Sequence, residues 1–87
     1  MMTFVRHERF KKDYKKLRVL DRNKCDERLL LFAEDPYNPI LNNHALSGIY
    51  KGLRSINITG DFRALYQPMG KNSALFVRLD THSNLYG

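Results

Sequence analysis

The stretch RSINITGDFRALYQ, residues 54–67, decides the fold of this 87-residue chain. Apolar and polar residues alternate on both sides of the segment Thr59-Gly60-Asp61, and this period of two is typical of strands with one buried face. Glycine tolerates a positive φ, so Gly60 predicts a tight turn between the two strands. The stretch therefore predicts an antiparallel hairpin with strands over residues 54–58 and 62–67.

The segment upstream, residues 8–35, follows the period of a helix instead. Asp21 is the predicted N-cap of a second helix, which Pro36 ends. The apolar stripes of the two predicted helices are Phe10, Tyr14 and Leu17 in the first, and Cys25, Leu29 and Phe32 in the second.

Short strands are predicted at both ends of the chain, over residues 3–5 and 74–79, and a loop over residues 40–50. In the last strand, Leu75, Val77 and Leu79 are expected to face the helices. The order β-α-α-β-β-β predicts an α+β fold with two helices packed on one face of a small, mainly antiparallel sheet. The length favours a single domain over residues 1–87.

Composition limits the class of function. The net charge is +6, with 15 lysines and arginines against 9 acids, which favours anionic partners such as nucleic acid or an acidic protein. The lone Cys25 is typical of the reducing cytoplasm, and no apolar run approaches the length of a membrane span. One cysteine and three scattered histidines give no metal-ligand spacing, and no Gly-rich phosphate loop is present, so no metal and no cofactor is expected.

Strand alternation predicts a polar cluster on the face of the sheet away from the helices. His44 can reach this face from its loop, His82 from the chain end, and Asp61 from the hairpin turn. Histidine suits proton transfer and arginine suits phosphate binding, so the cluster could cleave RNA by attack of the 2′-hydroxyl, without a metal. The outward strand residues are Ser55 and Asn57, Arg63 with Leu65, and Phe76, Arg78 and Asp80.

Each of these residues also has an ordinary structural interpretation. A loop histidine is commonly solvated, and strand arginines are commonly surface charges. By the same alternation Arg54 points away from the cluster, which favours either a structural role or contact with a partner protein. His7 is interpreted as a plain surface residue.

Four segments in order resemble the RelE superfamily of bacterial toxin–antitoxin toxins, most closely its YafQ-like branch. They read NHALSG (residues 43–48), KGLR (51–54), DFRALY (61–66) and THSNLY (81–86). The resemblance implies a RelE-like fold and a cytoplasmic, ribosome-dependent mRNA endoribonuclease that inhibits translation. It also implies binding to mRNA in the ribosomal A site, to ribosomal RNA, and to a cognate acidic antitoxin.

The resemblance further implies a catalytic site at His44, Asp61 and His82. We expect His82 to act as the acid and His44 as the base, with Asp61 assisting and a 2′,3′-cyclic phosphate as the first product. The expected phosphate or RNA contacts are Asn57, Arg63, Arg78, Tyr86 and Lys51.

Two alternatives stay open. Asn57 stands where the branch usually has a further histidine, and asparagine can bind phosphate but cannot transfer a proton. A catalytically degenerate toxin that retains only antitoxin binding is therefore one alternative. The other is a ParE-like DNA gyrase poison, against which the segment Thr81-His82-Ser83 argues, because those toxins generally lack such an ending.

Overall fold

The structure, a computed structural model that describes residues 1–86, has a five-stranded sheet in the order β1-β5-β4-β3-β2. Strands β1 and β5 pair in parallel, and all other neighbours pair antiparallel. This confirms the predicted α+β fold with a mainly antiparallel sheet. The elements are β1 Thr3–Arg6, α1 Glu8–Lys15, α2 Val19–Glu34, β2 His44–Ala45, β3 Arg54–Asn57, β4 Phe62–Pro68, β5 Ser73–Thr81 and α3 His82–Tyr86.

The hairpin of β3 and β4 forms as predicted, with Asn57 opposite Arg63 and Ser55 opposite Leu65. Its turn is closed by a side chain. The Thr59 hydroxyl accepts hydrogen bonds from the backbone amides of Asp61 (3.2 Å) and Phe62 (2.9 Å). Gly60 is not among the glycines with positive φ, so the predicted reason for the turn was wrong although its position was right.

Helices α1 and α2 cover one face of the sheet, and the main core lies between them and the strands. The predicted helix residues Phe10, Cys25, Leu29 and Phe32 are buried in it. The N-cap of α2 is Arg18, not the predicted Asp21, which lies in the first turn and pairs with the Arg18 guanidinium at 3.4 Å.

His7, interpreted from the sequence as a plain surface residue, caps α1. Its ring Nδ1 accepts a hydrogen bond from the backbone amide of Arg9 at 3.0 Å. This satisfies one of the free amides that begin every helix.

Strand β5 departs from the predicted alternation. Its core residues are Ala74, Phe76 and Leu79, whereas Leu75 and Val77 are only partly buried. The register shifts between Leu65, opposite Arg78, and Tyr66, opposite Phe76, so Val77 is an extra residue in the strand. A bulge of this kind reverses the order of inward and outward side chains, which is why the prediction was wrong for Leu75, Val77 and Phe76.

Several short elements, including β2 and α3, were not predicted. Strand β2 lies within the expected loop over residues 40–50, and helix α3 forms where only a chain end was expected. Leu65 and Leu85 are buried outside the main core, so α3 covers part of the face opposite α1 and α2. No helix within residues 1–86 is long and apolar enough to cross a membrane.

Candidate active site

An open cleft of about 500 Å³ lies on the side of the sheet where α3 packs. It brings together four residues that the sequence singled out and one to which it assigned no function. These are His44, Arg63, His82 and Tyr86, together with Ser55. The first four come from β2, β4 and α3, which are distant in sequence, so the fold assembles them.

His44 is held in one orientation by its own loop. Its ring Nδ1 lies 2.7 Å from the backbone carbonyl of Asn42, whose left-handed conformation (φ 46°) turns that carbonyl toward the ring. Because a carbonyl only accepts, Nδ1 must carry the proton and donate it. In the neutral ring Nε2 is then the free acceptor, as a general base requires.

The loop that carries His44 is itself anchored. The Asn43 amide donates hydrogen bonds to the Pro36 carbonyl (2.9 Å) and the Tyr66 hydroxyl (2.8 Å). The Arg54 guanidinium donates to the Asn43 side-chain oxygen at 2.8 Å and lies 5.6 Å from the Tyr37 ring centre. Burial raises the pKa of Tyr66, so this hydroxyl stays protonated at neutral pH. These contacts support the structural role that was one of the two expectations for Arg54.

His82 is fixed by the backbone at the first residue of α3. Its amide donates a 2.9 Å hydrogen bond to the carbonyl of Asp61 in the β3–β4 turn. The helix start is capped by Thr81, whose hydroxyl accepts from the Asn84 amide at 3.2 Å. Asp80 adds to the cap by accepting from the Asn84 side chain at 3.0 Å. The chain end is therefore an ordered helix that presents an exposed imidazole to the cleft.

Tyr86 packs against two rings. Its centroid lies 4.8 Å from that of His82 and 5.6 Å from that of Tyr50, the latter edge-on. The Tyr50 hydroxyl donates to the Leu85 carbonyl at 2.9 Å and so ties α3 to the loop before β3. Tyr86 remains 41% exposed, which leaves one part of its ring available to a ligand.

Arg63 supplies the positive charge of the cleft. Its Nη1 donates to the carbonyls of Thr59, Gly60 and Phe62 at 3.1 to 3.2 Å, which holds the guanidinium against the turn. Among residues 1–86 no carboxylate lies within ion-pair distance of this group. Its charge is thus not neutralised by the protein, as a phosphate-binding arginine requires.

Four predicted site residues do not line the cleft. The Asp61 side chain is exposed at the turn, and Lys51 is exposed after the segment Gly48–Tyr50. Asn57 lines a different groove, beside Lys24. Strand alternation predicted that Arg78 would join the cluster. The Arg78 guanidinium is paired with Asp13 and Asp80 instead.

Arg78 is bound by two carboxylates on β5 and α1. Its Nε lies 3.0 Å from the buried Asp13 of α1, and its Nη2 lies 3.3 Å from Asp80. The same Asp13 oxygen accepts from the backbone amide of Leu79 at 2.9 Å. The pairing of β1 with β5 ends at Phe76, and the Asp13 carboxylate accepts the hydrogen bond of the Leu79 amide beyond that point. Arg78 balances the charge of Asp13.

Ser55 is the residue of the cleft that sequence reasoning missed as a functional candidate. It lies directly opposite His44 in the pairing of β2 with β3 and is only 1% exposed. Alternation had placed it on the correct face, but nothing in the sequence predicts that β2 pairs beside it.

Other reactive groups lie apart from the cleft. Cys25 is fully buried in the main core, and burial raises its pKa to about 12, so it remains a thiol. In the part of the chain that the structure describes, no three histidine, cysteine or acidic side chains cluster in a way that could hold a metal ion.

The chain is similar to known proteins in sequence and in fold. The family model described as bacterial toxin of type II toxin–antitoxin system, YafQ, matches residues 2–87. Sequence comparison with curated proteins finds no match.

Solved structures with the same fold include YafQ from E. coli strain BL21(DE3), with 24% identity over 100% of both chains and a TM-score of 0.81. A copper-bound mutant toxin from Helicobacter pylori has 28% identity and a TM-score of 0.76, covering 99% of this chain and 100% of its own. The E. coli DinJ–YafQ complex gives 24% identity and a TM-score of 0.69 over 100% of both chains.

Proposed function

This chain belongs to the YafQ family of bacterial type II toxins, the YafQ-like branch of the RelE-type toxins, and from that premise we propose that it cuts messenger RNA on the ribosome. The active unit is the single domain of residues 1–87 that the sequence predicts, and its place of action is the cytoplasm, where translation occurs.

One observation carries the proposal: two histidines and an arginine with no carboxylate partner among the described residues line one cleft. RNA cleavage without a metal needs a base for the 2′-hydroxyl, an acid for the leaving oxygen and a positive charge at the phosphate. His44, His82 and Arg63 are the residue types that meet these three needs. A gyrase poison that acts by binding alone would need no such set.

The reaction follows from the orientation of His44. Its free Nε2 accepts the proton of the 2′-hydroxyl, and the 2′-oxygen attacks the adjacent phosphorus. The bond from phosphorus to the 5′-oxygen breaks as His82, in its protonated form, donates a proton to that oxygen. The products are a 2′,3′-cyclic phosphate and a free 5′-hydroxyl, and no co-reactant is consumed.

Arg63 and Tyr86 complete the site in this proposal. The guanidinium of Arg63 stabilises the charge that develops on the phosphate. The exposed part of the Tyr86 ring stacks on a nucleobase next to the scissile bond. Asp61 assists by fixing the His82 backbone through its carbonyl. Asn57, Arg78 and Lys51 stay predictions as RNA contacts, since none of them lines the cleft.

The cognate partner in this proposal is an acidic antitoxin. The E. coli YafQ of known structure is held in a complex with DinJ, and this chain carries a net charge of +6. A partner that binds only the folded toxin raises its melting temperature by mass action. The product of the adjacent gene should therefore stabilise the purified toxin, and an unchanged melting temperature would argue against that partner.

The experiment is primer extension on mRNA in programmed ribosomes, with naked mRNA as the parallel reaction. We expect new 3′ ends within codons in the A site and little cutting of naked mRNA. A gyrase cleavage assay on supercoiled DNA is run beside it. Intact mRNA together with gyrase-dependent DNA breaks would replace this function by the ParE-like one. Intact mRNA and intact DNA, with antitoxin binding retained, would favour the degenerate toxin.

A further inference from the structure

Ser55 has a buried hydroxyl without a partner. Its Oγ is shielded from solvent, and no hydrogen-bond partner lies within reach among residues 1–86. Most buried hydroxyls in folded proteins are hydrogen-bonded, because an unpaired one loses its hydration without compensation. An alanine at this position would avoid that cost, so the hydroxyl needs an explanation other than packing.

The position of Ser55 connects it to the cleft and not to the main core. It is the most deeply buried of the residues that line the cleft, whereas His44 and His82 are exposed at its rim. Its neighbours across the sheet are His44 on β2 and Leu65 on β4, both on the face away from α1 and α2. Ser55 therefore forms the floor beneath the residues assigned to proton transfer.

We propose that the Ser55 hydroxyl is a substrate-binding group that donates a hydrogen bond to a phosphate oxygen of the RNA in this cleft. The inference rests on the proposed function, because it takes the ligand of the cleft to be a nucleotide. The Ser55 side chain has a single rotatable bond that can turn the oxygen toward the cleft, where the rim residues His44 and His82 are exposed. Arg63 neutralises the phosphate charge, while Ser55 fixes one oxygen from below.

In Ser55→Ala we expect the melting temperature and the cleavage activity to change in opposite directions. Removing a hydroxyl that has no partner in the free protein should raise the melting temperature. Loss of a hydrogen bond to a charged phosphate should lower kcat/KM for ribosomal mRNA cleavage by roughly 10- to 100-fold. Ser73→Ala is the matched control, since Ser73 lies on β5 and does not line the cleft. It should leave the cleavage rate unchanged.

A binding measurement separates this inference from the proposed function. The probe is a short RNA of mixed sequence in which every 2′-hydroxyl is methylated, titrated into the full chain and followed by backbone NMR. We expect shifts at Ser55 and His44, and a Kd about ten-fold higher for Ser55→Ala than for the wild type.

The outcomes are distinct. A wild-type chain that binds the probe through Ser55 but cuts no mRNA would refute the nuclease and leave the Ser55 contact standing. A Ser55→Ala protein that binds and cuts like the wild type would overturn the Ser55 proposal alone. A lower melting temperature in Ser55→Ala would also overturn it, because the hydroxyl would then have a structural partner. A wild-type chain that does not bind the probe would overturn it as well.

Discussion

The backbone amide of His82 donates a 2.9 Å hydrogen bond to the backbone carbonyl of Asp61, which joins the start of α3 to the turn between β3 and β4. Arg63 is held against the same turn through the carbonyls of Thr59, Gly60 and Phe62. The proposed acid and the proposed phosphate-binding group thus depend on the conformation of one hairpin turn. Asp61 contributes its main chain to this arrangement, and its side chain is exposed.

Thr59→Ala tests this dependence. The change removes the hydroxyl that accepts from the amides of Asp61 and Phe62. We expect a loss of about 1 kcal/mol in the free energy of unfolding. We also expect a cleavage rate about ten-fold lower, because small displacements of reacting groups are costly. Thr59→Ser keeps the hydroxyl and should behave like the wild type in urea unfolding and in single-turnover cleavage. Equal cleavage rates for the two variants would show that the turn does not position the site.

His82→Gln should abolish most of the activity and leave the fold intact. Its main-chain bond to Asp61 survives, and surface changes usually alter stability by less than about 0.5 kcal/mol. Loss of a positioned proton donor should slow single-turnover cleavage by roughly 100- to 10,000-fold. His7→Gln is the control. It should cut at the wild-type rate, but its free energy of unfolding should fall by about 0.5 kcal/mol or more, because His7 caps α1. Near wild-type cleavage by folded His82→Gln would remove His82 from the mechanism.

Arg78→Ala should mainly lower the free energy of unfolding. Asp13 is 6% exposed and Arg78 is 24% exposed, so the change leaves a buried carboxylate whose remaining partners are the Leu79 amide at 2.9 Å and the Arg9 guanidinium at 3.9 Å. We expect a loss of about 3 kcal/mol in the free energy of unfolding, measured in urea. Arg18→Ala removes the partner of Asp21 from a pair whose arginine is 87% exposed and should cost less than about 1 kcal/mol. A stable Arg78→Ala protein with impaired cleavage would instead support the predicted role of Arg78 in RNA binding.

Stability should fall at alkaline pH. Burial raises the pKa of Cys25 to about 12, and burial also raises the pKa of Tyr14 and Tyr66 above 10.0. A raised folded-state pKa means that the unfolded chain releases these protons first, so the stabilisation is complete below about pH 9 and is lost as the pH rises through the folded-state values. Urea unfolding measured from about pH 8 to about pH 11 should show this decline. Cys25→Ala should flatten it, and an identical slope would contradict the assignment to Cys25.

Local pattern was sufficient for much of the fold. The hairpin over residues 54–67 and the stripes of α1 and α2 repeat with the period of their element, so each can be predicted without long-range information. The bulge at Val77 could not be predicted, because an inserted residue leaves no mark in an alternating sequence. Helix α3 did leave a signal. Thr81 followed by Asn84 is a polar pair at capping-box spacing.

Strand alternation was sufficient to predict on which face of the sheet the candidate site lies. His44, Arg63 and His82 meet because their side chains line the same cleft on one side of the sheet. The pairing of Arg78 with Asp13 joins residues 65 apart in sequence, and no local pattern signals it. The pairing of Ser55 with His44 likewise depends on β2, which is only two residues long and therefore too short to show a period.

The most direct test of the account is cleavage of an mRNA that lacks a single 2′-hydroxyl. Once the cut site on the ribosome is mapped, the nucleotide on its 5′ side is replaced by its 2′-deoxy form in an otherwise unchanged message. The attacking oxygen is then absent, while codon, phosphate and base are retained. We predict that the substituted message stays intact at that position and that the unmodified message yields a 2′,3′-cyclic phosphate. Cutting of the substituted message at the same bond would contradict the account, because another nucleophile would have to attack the phosphate.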